Sequence, residues 1–176
     1  MLMFSDPAAN LARLGLTDGM KVADLGAGSG FYSIEAARQV GSTGRVYAVD
    51  LQKPLLERLR AFGTRQGLGN IEVIAGDVEK IGGTKLREDI ADRVIASNVL
   101  FQLGKPGDCV LEIKRLLKPG GKVLVVYWSE LSPIAPKTLI PADKTQTLFE
   151  QNGFVLDQAF RAGDHHYGLV MAKKSL

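Results

Sequence analysis

Short apolar runs alternate along the chain with stretches whose apolar residues recur at helical spacing. Lys21 to Leu25, Arg45 to Asp50, Ile71 to Gly76, Asp92 to Ser97 and Lys122 to Trp128 read as strands. Between them, Phe31 to Val40 and a stretch from Pro54 read as helices, the second carrying Leu55, Leu59 and Phe62 on one stripe. Pro106 to Leu117 repeats the pattern with Val110, Ile113 and Leu117, and Pro119-Gly120-Gly121 stops it. Strands alternating with helices predict a parallel sheet with crossover helices on its faces. Ser5-Asp6-Pro7 sets a capping residue before a proline, so a short N-terminal helix runs to about Leu14. A loop over 129–142 holds Pro133, Pro136 and Pro141, and a helix from about Ala142 ends at Asn152-Gly153. Phe154 to Phe160 and Tyr167 to Ala172 read as the last strands. Their connection is far shorter than the dozen or so residues a parallel crossover needs, so they form an antiparallel hairpin.

The apolar runs stop on polar residues. The first ends in Asp24-Leu25-Gly26-Ala27-Gly28-Ser29-Gly30, the second at Asp50, the third at Gly76-Asp77, the fourth at Ser97-Asn98 and the fifth at Ser129-Glu130. Open α/β sheets bind ligands at the carboxyl ends of their strands. Any one of these residues also suits a turn or a cap; five together point to a site.

The glycine loop is the sharpest element. A glycine loop that opens a helix commonly cradles phosphate. Here the spacing Gly26, Gly28, Gly30 departs from G-x-G-x-x-G, and Asp24 stands at its mouth, where a carboxylate repels a pyrophosphate and attracts a cation. Asp50 matches an acid that holds ribose hydroxyls, and Asp77 could accept from an adenine amino group. A nucleoside bearing a cationic amino-acid arm satisfies all three acids.

At these residues the chain resembles the class I S-adenosylmethionine-dependent methyltransferases. VADLGAGSGFYS is similar to that family's acidic first motif, VYAVD to its ribose-binding strand and GDVE to its adenine-side segment. DRVIASNVLFQL and LKPGGKVLVVYW resemble the fourth and fifth strand regions of the ubiquinone/menaquinone-methyltransferase-like branch. The resemblance implies a Rossmann-like, doubly wound α/β fold: a mostly parallel seven-stranded sheet with a C-terminal antiparallel hairpin. By position it implies S-adenosyl-L-methionine as cofactor, with Asp24 near its amino group and Gly26, Ala27, Gly28 and Gly30 along the methionine arm. Asp50 would hold the ribose, Leu51 would pack on adenine, Asp77 and Val78 would flank the base, and Asn98 would sit beside the sulfonium.

Composition narrows the setting. With 176 residues the chain is expected to be one domain, 1–176, in which a helix within 1–16 and the 129–142 loop are the available covers for a site. A single cysteine, Cys109, excludes an internal disulfide and a thiolate metal cluster. That also departs from arsenite-methylating relatives, which use several cysteines, so that substrate is set aside. No apolar run approaches the ~18 residues of a membrane span, and Met1 to Asn10 lacks the basic start of a secretory signal. A soluble, cytoplasmic protein is the expectation. The net charge of +3 is carried by scattered Lys and Arg, which leaves a nucleic-acid face possible but does not indicate one.

For proton handling, the returning hairpin brings His165 and His166 to the ligand edge, with Glu130 beyond the fifth strand. Neighbouring strand residues point to opposite faces, so only one histidine can face the methyl group; both also suit hydrogen-bonded hairpin positions. Trp128 suits core or substrate wall, and Phe4 either folds over the cofactor or frays. A nicotinamide-dependent reductase is the first rival, but no tyrosine is followed four residues later by lysine. A non-catalytic binding module is the second, disfavoured by the full set of acids. A small or lipid-like methyl acceptor is expected, with a protein lysine or RNA as the alternative.

Overall fold

The computed structural model describes residues 5–175; Phe4 lies outside them. Seven strands form one sheet: β1 (Lys21–Leu25), β2 (Arg45–Asp50), β3 (Ile71–Ala75), β4 (Ala91–Ser97), β5 (Leu117–Trp128), β6 (Phe154–Arg161) and β7 (His166–Lys173). Their spatial order is β3-β2-β1-β4-β5-β7-β6. The first five pair in parallel, while β7 runs antiparallel to both β5 and β6. The chain winds outward from β1 to β3, then returns on the other side of β1 as β4. That reversal opens a crevice between the carboxyl ends of β1 and β4, where Asp24 and Asn98 lie.

The helices are α1 (Pro7–Leu14), α2 (Phe31–Val40), α3 (Lys53–Arg65), α4 (Pro106–Leu116) and α5 (Ala142–Gln151). Alternation along the strands divides the core into two layers. Val22 packs with Leu11 and Leu14 of α1 and Tyr32, Ala36 and Val40 of α2. Ala23 and Leu25 face the opposite layer with Val110, Ile113 and Leu116 of α4 and Phe149 of α5. Leu59 of α3 packs on Ala48 of β2 and Ile34 of α2. Asp6 caps α1 by accepting from the backbone N–H of Ala8 and Ala9 at 3.0 and 3.2 Å.

α1 (Pro7–Leu14) and the start of α5 at Ala142 lie where the sequence suggests, and one junction differs from expectation. Lys118–Gly121, expected to separate helix from strand, is a bulge within β5: Leu117 pairs with Ala91 and Lys122 already pairs with Arg93. Gly120, at φ 71°, supplies the left-handed residue that lets the extra chain loop out. Among the described residues no helix is long and apolar enough to cross a membrane.

The segment between β3 and β4, residues 76–90, carries no regular element, and a buried carboxylate holds it in place. Glu112 of α4 is fully buried and accepts from Gly82 N at 2.8 Å, Thr84 Oγ1 at 2.5 Å and the Arg115 guanidinium at 2.7 and 2.8 Å. Arg115 in turn donates to Leu86 O at 2.8 Å. Burial alone would raise the Glu112 carboxyl, but these donors keep it below the usual glutamate range.

Candidate active site

Asp24, one residue before the end of β1, is almost fully buried, at 2% exposure. Ser33, in the first turn of α2, donates to Asp24 Oδ2 at 2.6 Å. Burial nonetheless pushes the carboxyl up to about 6, against the pull of Ser33 and with a further push from Asp50. A buried acid raised in this way favours an incoming cation, which would restore its charged form.

Gly26, Gly28 and Gly30 all have positive φ, at 71°, 53° and 80°. A side chain on Gly30 would fall 2.3 Å from Leu59 Cδ1, so this glycine lets α2 seat against α3. A Cβ on Gly28 would point into open space, its nearest neighbour being Gly26 O at 3.9 Å. Gly28 lies where two hollows meet. One, of about 460 Å³, is lined by Asp24, Gly26, Ala27, Gly28, Tyr32, Ser97 and Asn98, with Ser5 and Pro7 at its rim. The other, of about 250 Å³, is lined by Gly26, Gly28, Asp50, Leu51, Asp77, Val78 and Val99.

Asp50, at the end of β2, braces the glycine loop. Its Oδ2 accepts from Gly28 N at 2.9 Å and its Oδ1 from Gln52 N at 2.8 Å. Leu51 is 68% exposed beside it, an apolar platform that no described residue covers. Asp77 Oδ1 accepts from Glu79 N at 3.0 Å and Oδ2 pairs with Lys80 Nζ at 3.1 Å. These contacts, the Glu79 N–H first, hold its carboxyl below the usual range. Asp77 therefore shapes the turn that carries Val78.

Asn98 follows β4 in a left-handed conformation, φ 52°, uncommon for any residue but glycine. Its backbone N donates to Val126 O at 2.8 Å and its carbonyl accepts from Gln102 Nε2 at 3.0 Å. Its side-chain Nδ2 lies 3.0 Å from His166 Nε2. Asn98 Oδ1 is buried and meets no donor among the described residues. Strain and an orphaned acceptor at a strand end are features that persist where a ligand uses them.

His166 opens β7 and His165 precedes it outside the strand; both rings lie beside Trp128, at 4.5 and 6.5 Å between centroids. His166 is buried, pairs in register with Trp128 and stacks on its ring at 4.5 Å. Asn98, which lines the larger hollow, lies between it and His166. His165 turns to the 129–141 loop: its Nδ1 lies 3.0 Å from Ser132 Oγ, and its carbonyl accepts from Ser129 N at 2.8 Å. Glu130 is exposed at the start of that loop. Tyr167 ties the loop's far end by donating to Ile140 O at 3.1 Å.

Several lining residues escaped the sequence reading. Tyr32 hydrogen-bonds Ser5 Oγ and Asn10 Nδ2, both at 2.8 Å, which brings the start of α1 to the rim. Gln102 sits in a 3-10 turn, Leu100–Gln102, that no periodicity announced. Ser33 carried a signal in its place just past the glycine loop. Cys109 is buried in α4 with its thiol pushed up to about 12 by burial, so it is no thiolate ligand.

Comparison with known proteins gives this geometry a family. The family described as "Methyltransferase domain" matches residues 16–166. The chain belongs to that family. Its relatives include the ubiquinone/menaquinone biosynthesis C-methyltransferase UbiE of Haemophilus ducreyi, 32% identical over 66% of this chain and 44% of that protein. An arsenite methyltransferase of Aquipseudomonas alcaligenes is 36% identical over 66% of this chain and 34% of that protein. The chain thus spans less than half the length of these two methyltransferases. In structure it is similar to a SAM-dependent methyltransferase from Aquifex aeolicus, with TM-score 0.86, 26% identity, and coverage of 96% of this chain and 89% of that one. The seven-stranded sheet with its antiparallel C-terminal strands is the methyltransferase fold.

Proposed function

We propose that this methyltransferase domain takes a methyl group from S-adenosylmethionine and passes it to a small or lipid-like acceptor. The observation that carries this reading is the meeting of two hollows at Gly28, one walled by the buried Asp24 and the other by Asp50. The residues fit the cofactor. Asp24 suits its ammonium group, the open face of Gly28 suits close approach of the methionine arm, and Asp50 keeps lone pairs for two ribose hydroxyls. Leu51 and Val78 suit the adenine faces, and Asn98 the sulfonium end. When bound, the cofactor supplies a methyl group on a positive sulfur that leaves readily. The chain's own task is to align the acceptor atom and to exclude water.

Within one domain, Ser5 and Pro7 in the lining of the larger hollow favour α1 as a cover, and residues 129–142 are the proposed substrate-side loop. Of the candidate bases, His166 lies beside Asn98, Glu130 lies in the loop, and His165 contacts that loop through Ser129 and Ser132. UbiE and the cobalt-precorrin-6B C(15)-methyltransferase (decarboxylating) named for a Methanosarcina acetivorans relative, 29% identical over 75% of this chain, both carry names of C-methyltransferases. These names support a small-molecule acceptor here.

The raised Asp24 carboxyl gives a pH signature. Below about pH 6 the free protein holds Asp24 protonated, so a cation must expel that proton to bind. Affinity for S-adenosylmethionine is expected to fall by up to about tenfold per pH unit as pH drops below 6. Asp24→Asn should flatten this dependence and weaken binding at neutral pH, as read by calorimetry. The unliganded fold responds in the opposite sense. Its folded-state value lies above the unfolded 3.8, so the stability Asp24 contributes is complete below 3.8 and lost as pH rises through about 6.

Incubating the protein with methyl-labelled S-adenosylmethionine and a fractionated cell lysate tests the acceptor class. Label should enter the small-molecule or lipid extract. Label confined to protein or RNA would overturn the proposed acceptor.

A further inference from the structure

A hollow of about 650 Å³ lies outside the strand-end site, between the start of α1, α2 and α3. We propose that it is a second ligand site, built for a small amphiphile with an anionic head such as a carboxylate or phosphate. Two helix stripes form its walls. On α2 the sequence Phe31, Ile34, Arg38 follows one face, and on α3 Arg58, Phe62, Arg65 does the same. Each stripe should be polar, because the opposite side of each helix already packs on the sheet through Ala36, Val40 and Leu59. Instead Phe31 is 74% and Phe62 42% exposed, so the hollow presents large apolar surface that no described residue covers.

Charge selects the head group. Three guanidiniums line the hollow: Arg38 pairs with Glu35 of the same lining at 3.5 Å, and the other lining carboxylate, Asp6, caps α1, which leaves Arg58 and Arg65 to meet an anion. Arg58 has no ion pair or hydrogen bond among the described residues. Arg65 lies over the Phe62 ring at 5.8 Å with no acid beside it. From Phe31 to Arg38 the helix rises about 10 Å, so an alkyl or aryl body of that length reaches from the phenylalanine to the guanidiniums. The hollow's volume is that of an ordinary small-ligand site. Its apolar end shares Pro7, Ser29 and Phe31 with the larger of the two strand-end hollows, so an occupant would lie against the glycine loop.

Calorimetric titration of the intact chain with decanoate and with decyl phosphate, each below its micelle-forming concentration, tests the site. One-to-one saturable binding of at least one of them is expected, and the stronger of the pair identifies the head group as carboxylate or phosphate. Decanol should bind about tenfold more weakly for want of the charge, and the hexyl analogue at least tenfold more weakly for want of four methylenes. The double variant Arg58→Glu, Arg65→Glu, whose sites are exposed on α3, should lose at least tenfold in affinity for the anion while keeping its affinity for S-adenosylhomocysteine. Phe62→Ala should lose affinity for decanoate and decanol alike. Absence of saturable binding, or equal binding of decanol and both anions unaffected by the arginine changes, overturns the proposal. If the amphiphile binds and S-adenosylhomocysteine does not, the second site stands and the proposed methyl transfer falls.

Discussion

Replacing Asp50 by alanine is expected to weaken binding of S-adenosylmethionine and S-adenosylhomocysteine about 100-fold or more. Each Asp50 oxygen has one lone pair committed within the chain, to Gly28 N at 2.9 Å and Gln52 N at 2.8 Å, and one left for a ribose hydroxyl. Two hydrogen bonds to a carboxylate, at about 1.5 kcal/mol each, amount to about 3 kcal/mol, or about two decades of affinity. The alanine variant also frees the Gly28 N–H, so the glycine loop loses its brace. Asp50→Asn retains one acceptor oxygen and should lose about tenfold. Calorimetry gives the affinities, with circular dichroism to show that both variants fold. An alanine variant within about twofold of the parent would remove Asp50 from the ligand site.

Glu112→Ala should be the most damaging single change to the fold. It strips the partners from Arg115, Thr84 and Gly82 at once and leaves a cavity in α4. Removing one member of a buried, hydrogen-bonded pair costs about 3–5 kcal/mol. Because Arg115 keeps 21% side-chain exposure and can recover water, the lower end, about 3 kcal/mol, is expected here. For a chain of this length that is a fall in Tm of about 6–12 °C. The same tie holds the segment bearing Asp77 and Val78, so cofactor affinity should fall with stability. Glu112→Gln keeps the shape and part of the hydrogen bonding and should cost less. A Tm within a degree or two of the parent for Glu112→Ala would show that residues 76–90 are held by other contacts.

Legibility in the sequence followed the range of the forces involved. The parallel strands were readable because strands covered on both faces become continuous apolar runs, and their polar ends marked the site edge. The antiparallel end of the sheet was readable from a loop too short to cross over. The Lys118–Gly121 bulge was not, because a Pro-Gly-Gly segment looks the same whether it ends a strand or kinks one. Register with Ala91 and Arg93 decides between them, and register is a tertiary fact. In the site, Asp24, Gly28 and Asp50 declared themselves by position at strand ends. The tie from Glu112 to Thr84 and Gly82 spans distant parts of the chain and has no local signature. The histidines show the boundary between the two kinds of information. Alternation said that only one could face the cavity; which one waited on the pairing of His166 with Trp128 and its contact with Asn98.

Calorimetric titration of the purified chain with S-adenosylmethionine, S-adenosylhomocysteine and NADH in parallel reaches the centre of this account. Saturable one-to-one binding of both adenosyl compounds, with no heat from NADH, is the predicted result. Binding of NADH, or indifference to both adenosyl compounds at millimolar concentration, would contradict it.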